Sequence, residues 1–220
     1  MESLEREVSL PLGEVTLAGT LGLPGDAGGV VLFAHGSGSS RFSTRNRYVA
    51  GVLREAGLAT LLIDLLSAAE EREDADTGHL RFDIGLLADR LVHAIDWLAA
   101  ERSTATLGVG LFGASTGGGA ALVAAGERPA RVQAVVSRGG RPDLAGAALP
   151  RVRAPTLLIV GGRDEPVLAL NRRAMAAMRA EVRLEVVPGA THLFEEPGTL
   201  EQVAALARDW FRHHLAPSAG

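Results

Sequence analysis

The chain has 220 residues, a hydrophobic fraction of 47% and a formal net charge of −4, which are typical of one globular domain with a sizeable buried core. It contains no cysteine, which excludes disulfides, thiolate zinc sites and a cysteine nucleophile. The acidic balance gives no electrostatic reason to expect nucleic acid or an anionic membrane as a partner. No apolar run reaches the roughly 18 residues of a membrane span, and the charged start lacks the apolar core of a secretory signal. We therefore expect a cytoplasmic protein with a single domain over residues 1–220.

The first elements along the chain are strands. Residues 5–12 and 14–24 are rich in β-forming residues on either side of Gly13, which predicts an antiparallel hairpin. Short, nearly continuous apolar runs follow, and such runs are typical of parallel strands buried on both faces. They lie at residues 29–36, 58–66, 106–113, 132–139, 155–162 and 183–190.

Segments with helical periodicity lie between most of these runs. The clearest spans residues 83–100, where apolar side chains recur every three or four positions. The others lie at residues 45–56, 116–126, 166–178 and 199–214, whereas the acidic stretch at 69–76 is expected to be a solvated loop. Alternating strands and helices predict an α/β fold, a doubly wound and mostly parallel sheet with an N-terminal antiparallel hairpin.

In such a sheet, ligands meet the loops at the carboxyl ends of the strands, so the residues that end each run are the candidates for a site. In chain order they are His35, Gly36, Ser37, Asp64, Ser115, Arg138, Asp164 and His192.

The glycine-rich stretch after residue 107 contains two motifs. Gly108, Gly110 and Gly113 satisfy the dinucleotide pattern G-x-G-x-x-G, but they lie inside an apolar run, and the next run ends in Ser137-Arg138 rather than in an acidic residue. This context excludes a nucleotide site. The second motif, GASTG, places Ser115 at a strand-to-helix junction, as the nucleophile elbow G-x-S-x-G requires. The pentapeptide alone fits a helix-capping serine equally well.

The partners of Ser115 decide between these interpretations. A serine nucleophile needs a base, and His192 follows the last strand at the same edge of the sheet. The base needs an orienting acid, for which Asp164 is the first candidate and Asp64 and Asp143 are weaker ones. We expect Glu165 to cap the helix that follows, because Pro166 suits a first helical position, and Asp164 is then free. The order serine, aspartate, histidine is that of the α/β-hydrolase triad.

An acyl-transfer site also needs two N–H donors for the oxyanion. Thr116, directly after the nucleophile, supplies the first. The loop after the first parallel strand supplies the second, with Ser37 the best candidate and Gly36 next. His35 is expected to anchor this loop rather than to react.

With these residues the chain resembles the α/β-hydrolase superfamily, in its dienelactone-hydrolase-like branch. The resemblance runs from the Val30–Ser40 segment through GASTG, GGRDEPV and GATHLFEE. It implies an esterase-type fold and places Ser115, Asp164 and His192 at the triad positions. The namesake enzyme uses cysteine where this chain has serine. Residues 40–48 and 65–84 also resemble segments of stand-alone hydrolases and of forms fused to a phosphoribosyltransferase.

Only about 15 residues separate the strand ending at Ser137 from the next one, which leaves no room for a cap domain and predicts an open site. Few aromatic residues argue against a large acyl cleft, so we expect short-chain carboxylic esters. Several arginines near the site are candidates for binding a substrate carboxylate or phosphate, although surface ion pairs are the alternative for each. They are Arg41, Arg45, Arg138 and Arg141.

The sequence thus predicts a serine hydrolase that uses no cofactor and no metal, acts on a small-molecule ester, and exists as a monomer or homodimer. A thioesterase, lactonase, perhydrolase or dienelactone-type hydrolase with the same residues is the first alternative. A catalytically silent hydrolase fold that serves as a binding protein is the second.

Overall fold

The structure, a computed structural model, describes residues 4–215. It opens with the antiparallel hairpin of β1 (Leu4–Leu12) and β2 (Val15–Leu23), which turns at Gly13 with φ +61°. Six further strands complete one sheet, in the order β1-β2-β4-β3-β5-β6-β7-β8. They are β3 (Val30–Ala34), β4 (Ala59–Ile63), β5 (Val109–Ala114), β6 (Val132–Arg138), β7 (Thr156–Gly161) and β8 (Val182–Val187).

Every pair from β4 to β8 is parallel, whereas β2 pairs with β4 in the antiparallel sense. The helices between them are α1 (Thr44–Glu55), α2 (Ala68–Thr77), α3 (Ile84–Ala100), α4 (Thr116–Glu127), α5 (Glu165–Ala177) and α6 (Thr199–His214). The predicted doubly wound, mostly parallel sheet with an N-terminal hairpin is confirmed. Its strand and helix bounds agree with the prediction to within a few residues.

The apolar faces of the helices explain this arrangement. Side chains of α3 and α4 pack on one face of the sheet with Leu32 and Leu111, and side chains of α1 and α6 pack on the other with Phe33 and Phe112. The rings of Phe33 and Phe112 lie 4.9 Å apart. Because both faces are covered, the central strands are buried throughout, which is why they appear in the sequence as continuous apolar runs.

The prediction of a solvated loop at residues 69–76 is wrong, because this stretch forms α2. Ser67 caps the helix by accepting a hydrogen bond from the Glu70 N–H, and the Glu70 carboxylate accepts one from the Ser67 N–H. This capping box, with Glu70 and Glu71 next to the positive end of the helix dipole, stabilises a segment of little apolar character.

Between β6 and β7, residues 142–151 form 3-10 turns that break at Gly146, with φ +47°. No domain is inserted at this point, as the short spacing predicts. Among residues 4–215, none of the helices is both long enough and apolar enough to cross a bilayer.

Candidate active site

The turn from β5 into α4 presents Ser115. Its backbone has φ +51° and ψ −120°, in a region that L-residues rarely occupy. Within residues 4–215, only Ser115 and Phe194 among the non-glycine residues have positive φ. Such a conformation is strained and persists only where the surrounding structure imposes it.

Small neighbouring residues make room for this turn. A Cβ atom on Gly113 would lie 2.5 Å from the carbonyl oxygen of Gly117, and one on Gly117 would overlap the carbonyl oxygen of Ala34. A Cβ on Gly36 would lie 3.2 Å from that of Ser115. The helix therefore packs closely on β3 and β5, and the loop after β3 passes directly beside Ser115.

The structure brings Ser115, His192 and Asp164 together from the ends of β5, β8 and β7. His192 Nδ1 lies 2.6 Å from Asp164 Oδ2, and His192 Nε2 lies 3.4 Å from Ser115 Oγ. The Asp164 side chain is largely buried, whereas that of His192 is partly open to solvent. The alternatives Asp64 and Asp143 pair with arginines instead.

Asp164 can accept the hydrogen bond from His192, but the reason differs from the expected one. The prediction that Glu165 caps α5 is wrong, since the helix begins at Glu165 and Asp164 occupies the cap position. The Asp164 side chain nevertheless makes no capping hydrogen bond. Its carboxylate instead accepts the hydrogen bond from His192, because the loop after β8 holds the imidazole beside it.

This geometry fixes the chemistry that each group can perform. A proton on His192 Nδ1, donated to Asp164, leaves the lone pair of Nε2 facing the Ser115 hydroxyl. The 3.4 Å between Nε2 and Oγ is long for a hydrogen bond, as is common in unliganded sites, where such contacts shorten when substrate binds. The arrangement can transfer a proton from the serine to the histidine.

Two backbone N–H groups flank Ser115. Thr116 is the first residue of α4, so its N–H has no partner within the helix. The Ser37 N–H donates to Thr116 Oγ1 at 2.9 Å, which joins the loop after β3 to the start of α4. The N–H groups of Ser37 and Thr116 therefore lie close together beside the turn at Ser115, and their role as oxyanion donors stays a prediction.

His35 anchors this loop. Its Nε2 accepts a hydrogen bond from the Leu65 N–H at 3.1 Å, so Nδ1 carries the proton and donates it to the Gly36 carbonyl at 2.9 Å. Burial lowers the pKa of His35, against smaller opposing effects of the Gly36 carbonyl and of Asp64, so the ring is neutral near pH 7. His35 forms no hydrogen bond with Ser115, so it is not placed to take part in the reaction.

The candidate arginines divide into two groups. Arg41 pairs with Asp64 and, at 3.1 Å, with Glu7 of the hairpin, and Arg141 forms two hydrogen bonds of 2.8 Å to Asp143. These two guanidinium groups are occupied by carboxylates of the chain itself. Arg45 and Arg138 line the same cavity as Ser115. Arg45 pairs at 3.3 Å with the exposed Glu195, whereas Arg138 donates to the neutral Asn46 side chain.

That cavity has a volume of about 230 Å³ and is open to solvent on one side. A second cavity of about 260 Å³ shares the loop after β3 as a wall and is otherwise lined by residues of α2, including Glu71, and by Leu65, Leu66, Arg81 and Leu87. Burial, and to a lesser extent the charge of Asp64, raises the pKa of Glu71. Glu71 was not among the predicted site residues, because its charged stretch is typical of a solvated loop. Residues 4–215 hold no cluster of three histidine or carboxylate side chains placed to bind a metal.

The sequence model of the dienelactone hydrolase family matches residues 17–215. The chain belongs to the dienelactone hydrolase family. A crystal structure of a dienelactone hydrolase from Anabaena variabilis is 64% identical, covers 98% of this chain and 100% of its own, and superposes with a TM-score of 0.96. The esterase domain of a Rhodothermus marinus protein shares the fold at 22% identity, with a TM-score of 0.75 over 96% of this chain and 99% of its own.

Curated relatives of this family member occur in two strains of Mycobacterium tuberculosis under the provisional name phosphoribosyl transferase. Each is 62% identical over 211 residues, which is 96% of this chain and 47% of the relative. The chain therefore spans about half the length of these relatives. Its matched residues form the α/β-hydrolase fold of the dienelactone hydrolase family.

Proposed function

We propose that this hydrolase cleaves small carboxylic esters through an acyl-enzyme formed on Ser115. The observation that carries the proposal is the continuous set of contacts from Asp164 through His192 to Ser115, at a strained turn beside two backbone N–H groups. A serine hydroxyl is a weak nucleophile until a base removes its proton, and His192 is placed to do so.

In the first half of the reaction, Ser115 Oγ attacks the ester carbonyl carbon while His192 Nε2 takes the hydroxyl proton. The N–H groups of Ser37 and Thr116 stabilise the negative charge on the former carbonyl oxygen, and the positive end of α4 adds to this effect. Asp164 stabilises the imidazolium. His192 then gives its proton to the departing alkoxide, the bond between carbonyl carbon and alkoxy oxygen breaks, and the acyl group remains on Ser115.

In the second half, water replaces the alcohol. His192 removes a proton from the water, which attacks the acyl carbon, and the bond to Ser115 Oγ breaks as the serine regains its proton. The products are a carboxylic acid and the free enzyme. No cofactor enters these steps.

The site supports short acyl groups. The cavity at Ser115 is small and open, and its lining is mostly serine, glycine and arginine, with Leu193 as its one large apolar side chain among the described residues. We expect kcat/KM for p-nitrophenyl esters to fall from acetate or butyrate toward octanoate. A preference for long chains would contradict the proposed short-acyl specificity.

A fluorophosphonate probe tests the proposal directly. We expect the wild type to be labelled and to hydrolyse p-nitrophenyl acetate, and Ser115→Ala to lose both. The matched control is Ser103→Ala, whose side chain binds Glu101 at the surface and which should behave as the wild type. Labelling that survives Ser115→Ala would overturn the assignment of the nucleophile. A wild type that shows neither activity would favour the hypothesis of a silent binding protein, and activity confined to thioesters or lactones would favour those alternatives.

A further inference from the structure

A short loop after β6 holds the strained turn at Ser115 from both sides. The Ser115 N–H donates to the carbonyl of Arg138, the last residue of β6, at 3.3 Å, and the Ser115 carbonyl accepts from the Arg141 N–H at 3.0 Å. We call residues 139–141 the β6 loop. Because a strained backbone persists only where its surroundings impose it, the position of the β6 loop helps to fix the turn at Ser115.

The β6 loop also lies against His192. Gly139 has φ +53°, and a Cβ atom on it would lie 3.1 Å from the carbonyl oxygen of His192 and 3.5 Å from Cε1 of its imidazole. The loop therefore contacts both partners of the proposed proton transfer, His192 Nε2 and Ser115 Oγ, which lie 3.4 Å apart. A displacement of the loop would change that distance.

The β6 loop has little rigidity of its own, because Gly139 and Gly140 are the least restricted residues that a chain can contain. The Gly139 N–H continues the hydrogen bonds to β7, and the side chain of Asn171 in α5 fixes the next residue. Asn171 Nδ2 donates to the Gly140 carbonyl at 3.0 Å and to the Val167 carbonyl at 2.8 Å. Asn171 is 0% exposed and Gly140 is buried, so neither bond competes with bulk water.

The orientation of the Asn171 amide is fixed by its surroundings. Both groups that face Nδ2 are carbonyl oxygens, which only accept hydrogen bonds, so the nitrogen must point toward them. Oδ1 then has no hydrogen-bond partner within residues 4–215. A buried acceptor without a partner lowers stability, and an apolar side chain of similar shape would avoid that cost. What the asparagine contributes instead is a defined position for the Gly140 carbonyl.

Asn171 also connects the β6 loop with the acid of the site. Asp164 occupies the cap position of α5, and Asn171 follows seven residues later, which is two helical turns along the same side. One helix therefore begins at the carboxylate that binds His192 and carries the amide that binds the β6 loop.

We propose that Asn171 is a positioning residue for the reaction, which sets the distance between Ser115 Oγ and His192 Nε2 through the β6 loop. Asn171 itself does not line the cavity at Ser115. Without its amide, the buried Gly140 carbonyl loses its donor, and the loop must move to find another. A shift of about 1 Å in a reacting group can lower a rate by about 100-fold. This inference rests on the proposed esterase function.

Two substitutions that differ in one hydrogen bond test this role. Asn171→Leu removes both donated bonds, whereas Asn171→Thr keeps a hydroxyl for the Val167 carbonyl, one turn back, that does not reach Gly140. We expect kcat for p-nitrophenyl acetate, counted per active site, to fall about tenfold or more in both, with KM within about threefold of the wild type. The burst of p-nitrophenol counts the active sites, so a loss of folded protein does not lower this value. Threonine is close to asparagine in volume, so it tests the role even if Asn171→Leu does not fold.

The matched control is Ala169→Gly in the same helix. Ala169 is exposed, and a glycine there destabilises α5 without removing a hydrogen bond to the β6 loop. We expect this variant to melt at a lower temperature and to keep the wild-type kcat per active site. An equal loss of kcat in Ala169→Gly and Asn171→Thr would assign the effect to the stability of α5 and overturn the positioning role. A raised KM with unchanged kcat in Asn171→Thr would overturn it as well.

Hydrogen exchange separates this inference from the proposed function, because it needs no catalysis. The Arg141 amide donates to the Ser115 carbonyl, so its exchange rate reports whether the β6 loop still holds the turn. Relative to the amides of β5, we expect it to exchange about tenfold faster in Asn171→Thr and at the wild-type rate in Ala169→Gly. An unchanged rate in Asn171→Thr would overturn the inference. A wild type that hydrolyses no ester, with the exchange effect present, would overturn the esterase and leave the link between Asn171 and the turn.

Discussion

At the scale of single residues, the groups proposed to stabilise the oxyanion belong to the backbone. The side chain at position 37 is therefore replaceable, provided that the N–H stays where it is. Its contact with Thr116 Oγ1 shows that this N–H already points toward the start of α4, where a developing negative charge would add a second acceptor. The hydroxyl of Ser37 makes no hydrogen bond that holds the loop within the described residues.

Two substitutions at position 37 test whether the backbone N–H or the side-chain hydroxyl matters for the reaction. Ser37→Ala should keep kcat within about threefold of the wild type, whereas Ser37→Pro, which lacks the N–H, should lower kcat by roughly 100-fold. Steady-state kinetics with p-nitrophenyl acetate measures both, and circular dichroism checks that each variant folds. Equal losses in the two variants would show that the hydroxyl, not the N–H, matters.

At the scale of elements, His35 joins the ends of two adjacent strands. It follows β3, and through its imidazole it holds the Leu65 N–H just after β4. The same ring holds the carbonyl of Gly36, at the base of the loop that carries the Ser37 N–H. The contact with Leu65 requires a neutral ring, since a protonated Nε2 cannot accept its hydrogen bond, whereas Nδ1 donates to Gly36 in either protonation state.

Protonation of His35 should therefore destabilise the fold. Burial lowers the pKa of His35 in the folded state below its unfolded value of about 6.5, so below that pH the unfolded chain binds more protons and the free energy of unfolding decreases. The loss begins as the pH falls through about 6.5 and is complete below the lowered folded pKa. Urea unfolding at several pH values from about 7.5 to 5.5 measures it. His35→Gln, which keeps an acceptor for Leu65, should show a shallower dependence, and an identical slope in both proteins would refute this account.

The sequence could predict those features that depend on residues close together in the chain, and not those that depend on contacts made only in the fold. The central strands and the elbow at Ser115 follow from continuous apolar runs and a five-residue motif, so they were predictable, as was the edge at which Asp164 and His192 meet Ser115. The capping box that makes α2 a helix was present as Ser67 and Glu70, but the charge of the segment concealed it. That Arg41 pairs with a carboxylate whereas Arg138 donates to a neutral amide was not predictable, because it depends on which side chains the fold brings near each one.

At the scale of the whole molecule, the N-terminal hairpin is joined to the rest of the fold by ion pairs as well as by the sheet. Glu5 pairs with Arg54 of α1 at 2.6 Å, Arg6 with Glu101 after α3 at 3.0 Å, and Glu7 with Arg41. Arg41 also pairs with Asp64 at the end of β4, where both side chains are mostly buried. One guanidinium thus connects the hairpin, the central sheet and the loop on the Ser37 side of the site.

Removal of Arg41 should destabilise the protein, because it leaves the Asp64 carboxylate buried without its partner. We expect Arg41→Gln to lower the free energy of unfolding by about 2 kcal/mol. Arg183→Gln, which breaks an exposed pair with Glu185 on β8, should change it by less than about 0.5 kcal/mol. Urea denaturation of both variants checks this, and similar small effects would indicate that the Arg41 network contributes little to stability.

The positive φ of Ser115 has a thermodynamic consequence for the whole chain. Glycine occupies that backbone region readily, so Ser115→Gly should be more stable than Ser115→Ala by about 1 kcal/mol, although glycine ordinarily destabilises a fold relative to alanine. Melting temperatures of the two variants would measure the difference, and a more stable alanine variant would show that the turn is relaxed. If the glycine variant is the more stable one, the chain folds less stably than it could in order to hold the proposed nucleophile ready. Efforts to raise its thermal tolerance would then have to begin elsewhere, because the most favourable residue for folding at this position is one that cannot react.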